Sequence, residues 1–268
     1  MKKLKQLLFI VLWSGLAIGL MVSMGFVNQK QDTILYKNLE VNVNQDGDLC
    51  FLDKKDIVQL LYDRGDSIVG SQKIKVSIPE IERVLNSHED IANAEVSATI
   101  DGCMKIKIKQ RKPIIRIFNT VGESYYIDNE GKLMPLSEKY TANVLVANGK
   151  IYESYALHYK YPVNEFKKET INAQNMLGKL YAMATYIYAN KFWRAQVQQL
   201  YVNKEQEIEL VPMVGDQKII FGDTMNLDEK FKKLYIFYQQ GLNTTGWWNK
   251  YSTINLKFKN QIVCTKKI

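Results

Sequence analysis

Residues 7–27 carry no charged side chain, and the six residues ahead of them hold three lysines, Lys2, Lys3 and Lys5, and no acid. No other feature constrains the chain more, because so long an apolar run can be buried in few ways. As a helix rising about 1.5 Å per residue it spans about 31 Å, the thickness of one bilayer core. In hydrocarbon every backbone amide must bond within its own segment, so a single span is a helix. Lysines before the run and the mixed Asn28-Gln29-Lys30-Gln31-Asp32 after it place residues 1–6 in the cytoplasm and the rest of the chain across the membrane. A cleaved secretory signal is the rival, with an apolar core of about 7–15 residues and a small-x-small cleavage site. This run is longer, and Ser23 with Gly25 makes a poor cleavage pair. An uncleaved transmembrane helix over 7–27 is therefore expected, with 28–35 as a linker.

The formal charge is +8, three of those charges being the N-terminal lysines. The remaining excess is dispersed; it suits a neighbouring anionic membrane surface and lacks the clustered basic face of a nucleic-acid binder. Cys50, Cys103 and Cys264 are far apart, without a CxxC, and their odd number forms no complete disulfide framework. Cys50 and Cys103 could pair if their strands are neighbours; inert thiols are the simpler expectation.

Residues 36–110 alternate strand and helix signals. Leu39-Glu40-Val41-Asn42-Val43 alternates apolar with polar, as a half-buried strand does. Asp53 precedes an apolar stripe of Ile57, Val58, Leu60 and Leu61 at helical spacing, which Gly65 can close. Ser77-Ile78-Pro79-Glu80 has the form of a capping box, and Ile81, Val84, Leu85 and His88 follow on one helical face. Ala94, Val96, Ala98 and Ile100 then share a strand face, Asp101-Gly102 signals a tight turn, and Met104, Ile106 and Ile108 alternate with Lys105, Lys107 and Lys109. The order is β-α-α-β-β, an α+β layer with two helices on a three-stranded sheet.

Residues 111–268 read as a mixed β-sheet with helices. Residues 125–136 form a hairpin with Gly131 in its turn, and 144–147 a short buried strand. A long helical pattern covers 170–192 through Leu177, Leu180, Tyr181, Ala184, Ile187 and Tyr188. Strands are expected at 197–202, 208–211 and 218–221, and a helix from Asp228 to Gln240 showing Phe231, Leu234, Tyr235 and Tyr238 on one face. The chain closes on a hairpin, with Ile254, Leu256 and Phe258 alternating along 251–258, a turn at Lys259-Asn260 and a return over 261–264. A last strand at a sheet edge must be protected or used.

These residues carry a resemblance. The β-α-α-β-β order after an anchor, Ile91-Ala92-Asn93-Ala94-Glu95-Val96 before the second strand, and Gln110-Arg111-Lys112-Pro113 after the third are similar to a POTRA domain, with Gln110 where an acid is usual. The Y-Y-I-D-x-x-G-x-x-x-P hairpin at 125–135, P-x-x-G-x-x-x-I-x-F-G at 212–222, E-K-F-x-x-L at 229–234 and Y-x-x-I-N-L-K-F at 251–258 complete a resemblance, over nearly the whole chain, to the FtsQ/DivIB cell-division proteins. The resemblance implies a short cytoplasmic tail, one inner-membrane span, a POTRA domain and a β-domain at the division septum. It also implies a partner pair, FtsB with FtsL, bound at the end of the β-domain. By position that role falls on Lys257, Phe258, Lys259, Asn260, Gln261 and Ile262, with Phe258 as anchor and the lysines facing acidic groups. Phe258 as core is the competing expectation. Trp247 and Trp248 are either a second contact or the closure of a small core.

No catalytic constellation is legible. His88 sits on an apolar helical face and His158 in an aromatic loop, without a spaced partner for either. HExxH, GxSxG, P-loop and GxGxxG patterns are absent. Carboxylate pairs such as Asp63 and Asp66 stand in turns beside basic residues, as solvated surfaces do. A non-catalytic protein without cofactor or metal is expected. An export or outer-membrane assembly factor lacks support because no series of membrane strands follows the POTRA-like segment. An anchored wall enzyme lacks the paired carboxylates, metal set or activated nucleophile it needs.

Overall fold

A computed structural model describes residues 12–22, 35–44, 49–65, 68–159, 162–164 and 175–267. The chain divides into two compact units, residues 1–110 and 111–268. Residues 12–22 are helical (α1), and Leu12, Trp13, Leu16, Ile18, Leu20, Met21 and Val22 are all more than half exposed. This is the described part of the expected span; residues 7–11 and 23–27 lie outside the described residues. Among the described residues no helix is long and apolar enough to cross a membrane.

The rest of the first unit runs β1 (Asn38–Asn44), α2 (Lys54–Tyr62), α3 (Ile78–Asn86), β2 (Ile91–Ala98) and β3 (Cys103–Gln110). The sheet order is β1-β3-β2, with β1 parallel and β2 antiparallel to the central β3. Met104, Ile106 and Ile108 are buried while Lys105, Lys107 and Lys109 are exposed, so the alternation along β3 sets which face meets the core. Asp53 caps α2 in a reciprocal box with Asp56. Ser77 caps α3 from one side only: its hydroxyl accepts from Glu80 N, while the Glu80 carboxylate turns to Arg83 and Arg64. α3 ends at Asn86, so His88 lies beyond the helix, its Nδ1 accepting from Asp90 N. Ile100 is exposed because β2 stops at Ala98.

Two side chains of α3 close the outer edge of β2. Glu82 Oε1 accepts from Val96 N at 2.8 Å, and Asn86 Oδ1 from Ala94 N at 2.9 Å. A strand edge otherwise offers these amides to a passing chain; along this part of β2 the two side chains of α3 take them. Gln110 is buried, and its Oε1 accepts from both Phe51 N and Leu52 N, the work a carboxylate there would do. All three cysteines are free thiols, and no Cys50–Cys103 bridge is formed.

The described residues of the second unit form nine strands: β4 (Pro113–Phe118), β5 (Ser124–Asp128), β6 (Leu133–Met134), β7 (Leu145–Gly149), β8 (Val197–Val202), β9 (Ile208–Pro212), β10 (Lys218–Gly222), β11 (Tyr251–Asn255) and β12 (Val263–Lys266). Their order is β12-β11-β10-β9-β8-β7-β4-β5-β6. A one-turn helix α4 (Tyr155–His158) precedes α5 (Met176–Ala189), α6 (Lys191–Gln196) and α7 (Leu227–Ile236). The expected 170–192 helix is two: Asn175 caps α5 and Asn190 both ends it and caps α6, while 170–174 lie outside the described residues. Leu177, Leu180, Ala184, Ile187, Trp193, Phe231 and Leu234 pack with Ile115, Leu200, Leu210, Phe221 and Ile254 in one core. α7 does not run on as α-helix to Gln240; from Phe237 to Leu242 it is π-helical, and Tyr235 stays exposed.

Polar groups knit the other end of this sheet. Glu123 accepts from Tyr155 N, Asn119 Nδ2 and Ser154 Oγ, which holds its carboxyl below the usual range. Glu153 accepts from Met176 N, and its carbonyl from the Tyr125 hydroxyl, whose own pKa burial raises. Both acids are structural acceptors.

Candidate docking edge at the end of the sheet

Among the described residues β12 is the last strand of the sheet and pairs with β11 alone: Asn255 faces Val263, Ile254 faces Cys264 and Thr253 faces Thr265. Alternation puts Cys264 toward the core, where burial raises its thiol pKa, and Val263 and Thr265 on the opposite face. Thr253 and Thr265 join the strands through a hydroxyl pair at 2.8 Å. At its outer end Lys267 forms an ion pair with Asp216, an exposed contact with little bearing on stability.

The six residues singled out by sequence do not lie on a strand. β11 ends at Asn255, so Lys257, Phe258, Lys259, Asn260, Gln261 and Ile262 form the loop that leads into β12. The apolar alternation continues past the last paired residue and therefore imitates a longer strand. Leu256 is fully buried and Phe258 is 45% exposed, so the two part company after a shared pattern. Phe258 is not core. Ile262 packs partly against the core and Lys257, Lys259, Asn260 and Gln261 are exposed.

Why the chain leaves the sheet here is visible in the contacts. Leu256 N still donates to Ile220 O, continuing the parallel register with β10. Asn255 Oδ1 then accepts from Lys257 N at 3.0 Å, a side-chain turn that takes the amide the next strand bond needs. Lys257 lies over Gly222, where a Cβ would meet its stem at 2.9 Å, and its ammonium reaches Glu207 Oε1 at 2.5 Å. From α7, Lys233 Nζ donates to Phe258 O at 2.6 Å, Lys259 O at 3.2 Å and Leu256 O at 3.4 Å. Sequence reading missed Lys233 and Glu207, and had Asn255 only as a motif position without its turn-making contact. Lys233 occupies an unspecified position of the E-K-F-x-x-L motif, and nothing local marks it.

Trp248 meets Tyr238 edge-on with ring centroids 5.1 Å apart and closes the core beside the π-helical turn. Trp247 is 44% exposed with Lys250 Nζ 3.1 Å from its ring centre. Trp248 thus closes a small core, as one of the two expectations had it, while Trp247 stands half exposed at its rim.

Among the described residues no group of His, Cys, Asp or Glu is placed to hold a metal ion. His158 Nδ1 bonds Ser154 O at 2.9 Å, Asp63 accepts from Gln59, and Asp66 lies outside the described residues. What the arrangement can do is present one unpaired strand edge beside an exposed aromatic ring on a braced loop.

Comparison with protein families gives two matches. Residues 36–109 match a POTRA-like domain, and residues 112–265 match a domain described as FtsQ/DivIB, C-terminal related. A comparison with curated proteins found no match. The second family match covers more than half of the chain and runs from β4 through β12. The chain belongs to the FtsQ/DivIB family.

Proposed function

We propose that this protein is a bitopic, non-catalytic division protein that docks the FtsB–FtsL pair through the β12 edge and the 257–262 loop, and so helps assemble and regulate the septal wall synthase. Family membership supports a role in cell division, and domains of these two kinds are generally non-catalytic. The observation that carries the docking reading is the free edge of β12 with exposed Phe258 beside it. An open edge recruits a partner strand through main-chain bonds, and an aromatic anchor adds selectivity. Lys259 and Lys266 flank the edge and favour an acidic partner segment.

The charge-free run at 7–27 acts on this reading as a tether, with residues 1–6 in the cytoplasm and both domains outside the inner membrane at the septum. Tethering raises the effective concentration of docking surfaces toward partners anchored in the same membrane. The POTRA-like domain offers further surface for other division proteins.

Co-purification of the protein with FtsB, wild type against Phe258→Asp, is the direct test. Loss of the complex in a folded variant is expected; an unchanged complex sinks the docking reading. Depletion should give filaments with blocked septa, and replacing residues 7–27 by a foreign transmembrane helix should leave division largely intact.

A further inference from the structure

The contacts of Lys233 go beyond holding a surface together. An ammonium has three donors, and three carbonyls of one loop accept here: Leu256, Phe258 and Lys259. No carboxylate pairs with Lys233 among the described residues, so its charge is directed at the loop alone. Charged donors make shorter and stronger bonds than neutral ones, as the 2.6 Å contact to Phe258 O shows. Turning these carbonyls inward holds the peptide plane that follows Phe258 and the planes that follow Leu256 and Lys259, and so restricts the direction in which the exposed ring points. Asn255 Oδ1 fixes the plane before Lys257, so the loop is braced from its strand and from a helix distant in sequence.

We propose that Lys233 is a positioning residue for partner docking: it pre-organises the 256–259 backbone so that Phe258 is aimed before the partner arrives. This rests on the docking reading above. A loop ordered in advance spares binding the entropy of ordering it, roughly a tenfold gain in affinity for the one or two side chains involved.

The test uses the full chain in detergent, with FtsB as the probe, and compares wild type, Lys233→Met, Lys233→Gln, Lys233→Arg and Phe258→Asp. Amide hydrogen exchange over 257–261 in the free protein reports loop order without any partner. Lys233→Met keeps the aliphatic stem and removes the donors; faster exchange and about tenfold weaker binding are expected, Lys233→Gln should behave alike, and Lys233→Arg should restore most of both. If Phe258→Asp abolishes binding while Lys233→Met and Lys233→Gln bind and exchange as wild type, the positioning role is overturned and docking survives. If Phe258→Asp itself binds as wild type, the docking reading fails and takes this role with it. Should Lys233→Met not fold, Lys233→Gln against Lys233→Arg gives the same decision.

Discussion

Lys230 Nζ lies 2.7 Å from Asp223 Oδ1 and 2.8 Å from Asp223 O, with its ammonium 5.1 Å from the centre of the Phe221 ring. The lysine is buried and the aspartate half exposed, so the pair is lopsided. It ties the first turn of α7 to the turn after β10, next to Gly222 and the Lys257 stem. The bracing of the docking loop by Lys233 depends on α7 keeping this seat.

The lopsidedness predicts unequal costs. Asp223→Ala strands a buried ammonium with a carbonyl and the Phe221 ring but no counter-charge, and should cost about 3 kcal/mol. Lys230→Met leaves a carboxylate that water can reach and an apolar stem that still packs on Phe221, so about 1 kcal/mol is expected. Denaturant midpoints of the two variants check this, and the reverse order would show that the pair is not what seats α7.

The same pair gives a pH dependence with a defined sign. The hydrogen bond from Lys230 holds the Asp223 carboxyl below its ordinary value. A group with a lowered folded pKa contributes its stability above the unfolded value of about 3.9 and loses it as pH falls toward the folded one. The stability difference between wild type and Asp223→Asn should be constant at neutral pH and shrink below about pH 4. A difference that grows on acidification contradicts the assignment.

Asp128 behaves oppositely. It is buried, and burial raises its carboxyl pKa despite two backbone donors and Arg111 nearby. Its Oδ1 accepts from Lys132 N at 2.8 Å and Glu130 N at 2.9 Å, closing the turn in which Gly131 takes φ +84°. Asparagine keeps that acceptor and sheds a charge that burial disfavours, whereas alanine leaves both amides without it. Asp128→Asn should fall within about 1 kcal/mol of wild type and Asp128→Ala lose about 2 kcal/mol, measured by chemical denaturation.

Most of the sheet was legible because burial on one face imprints a period of two: Met104, Ile106 and Ile108 against three lysines fix β3 outright. The helix start after Asp53 and the Ser77 cap were legible for the same local reason. The docking loop was not. Its apolar positions keep the strand period after Asn255, and what ends pairing is an Asn side chain and a lysine from a helix over twenty residues earlier. Periodicity reports burial within an element and carries no record of contacts made across the fold. The Glu123 and Glu153 knots escaped for that reason, being single residues that bond backbone more than twenty positions away. The division of the long helix at Asn190 turns on one cap residue inside a continuous apolar pattern.

Leu256 and Phe258 separate stability from docking within three residues. Leu256 has 0% exposure and belongs to the main core, while Phe258 keeps 45% of its surface in water. Truncating a buried leucine loses its transfer energy and leaves a cavity, so Leu256→Ala should cost about 3 kcal/mol. Phe258→Ala removes an exposed ring and should shift stability by less than about 0.5 kcal/mol. Their effects on partner binding should run the other way: Phe258→Ala weakens the complex by about tenfold or more, as loss of an aromatic anchor does, while folded Leu256→Ala protein binds nearly as wild type. Denaturation and partner titration on the same two variants decide it. Comparable stability losses at both sites would mean that the ring is packed as core in solution. Equal binding by both would move the contact surface away from the loop and onto the β12 strand itself.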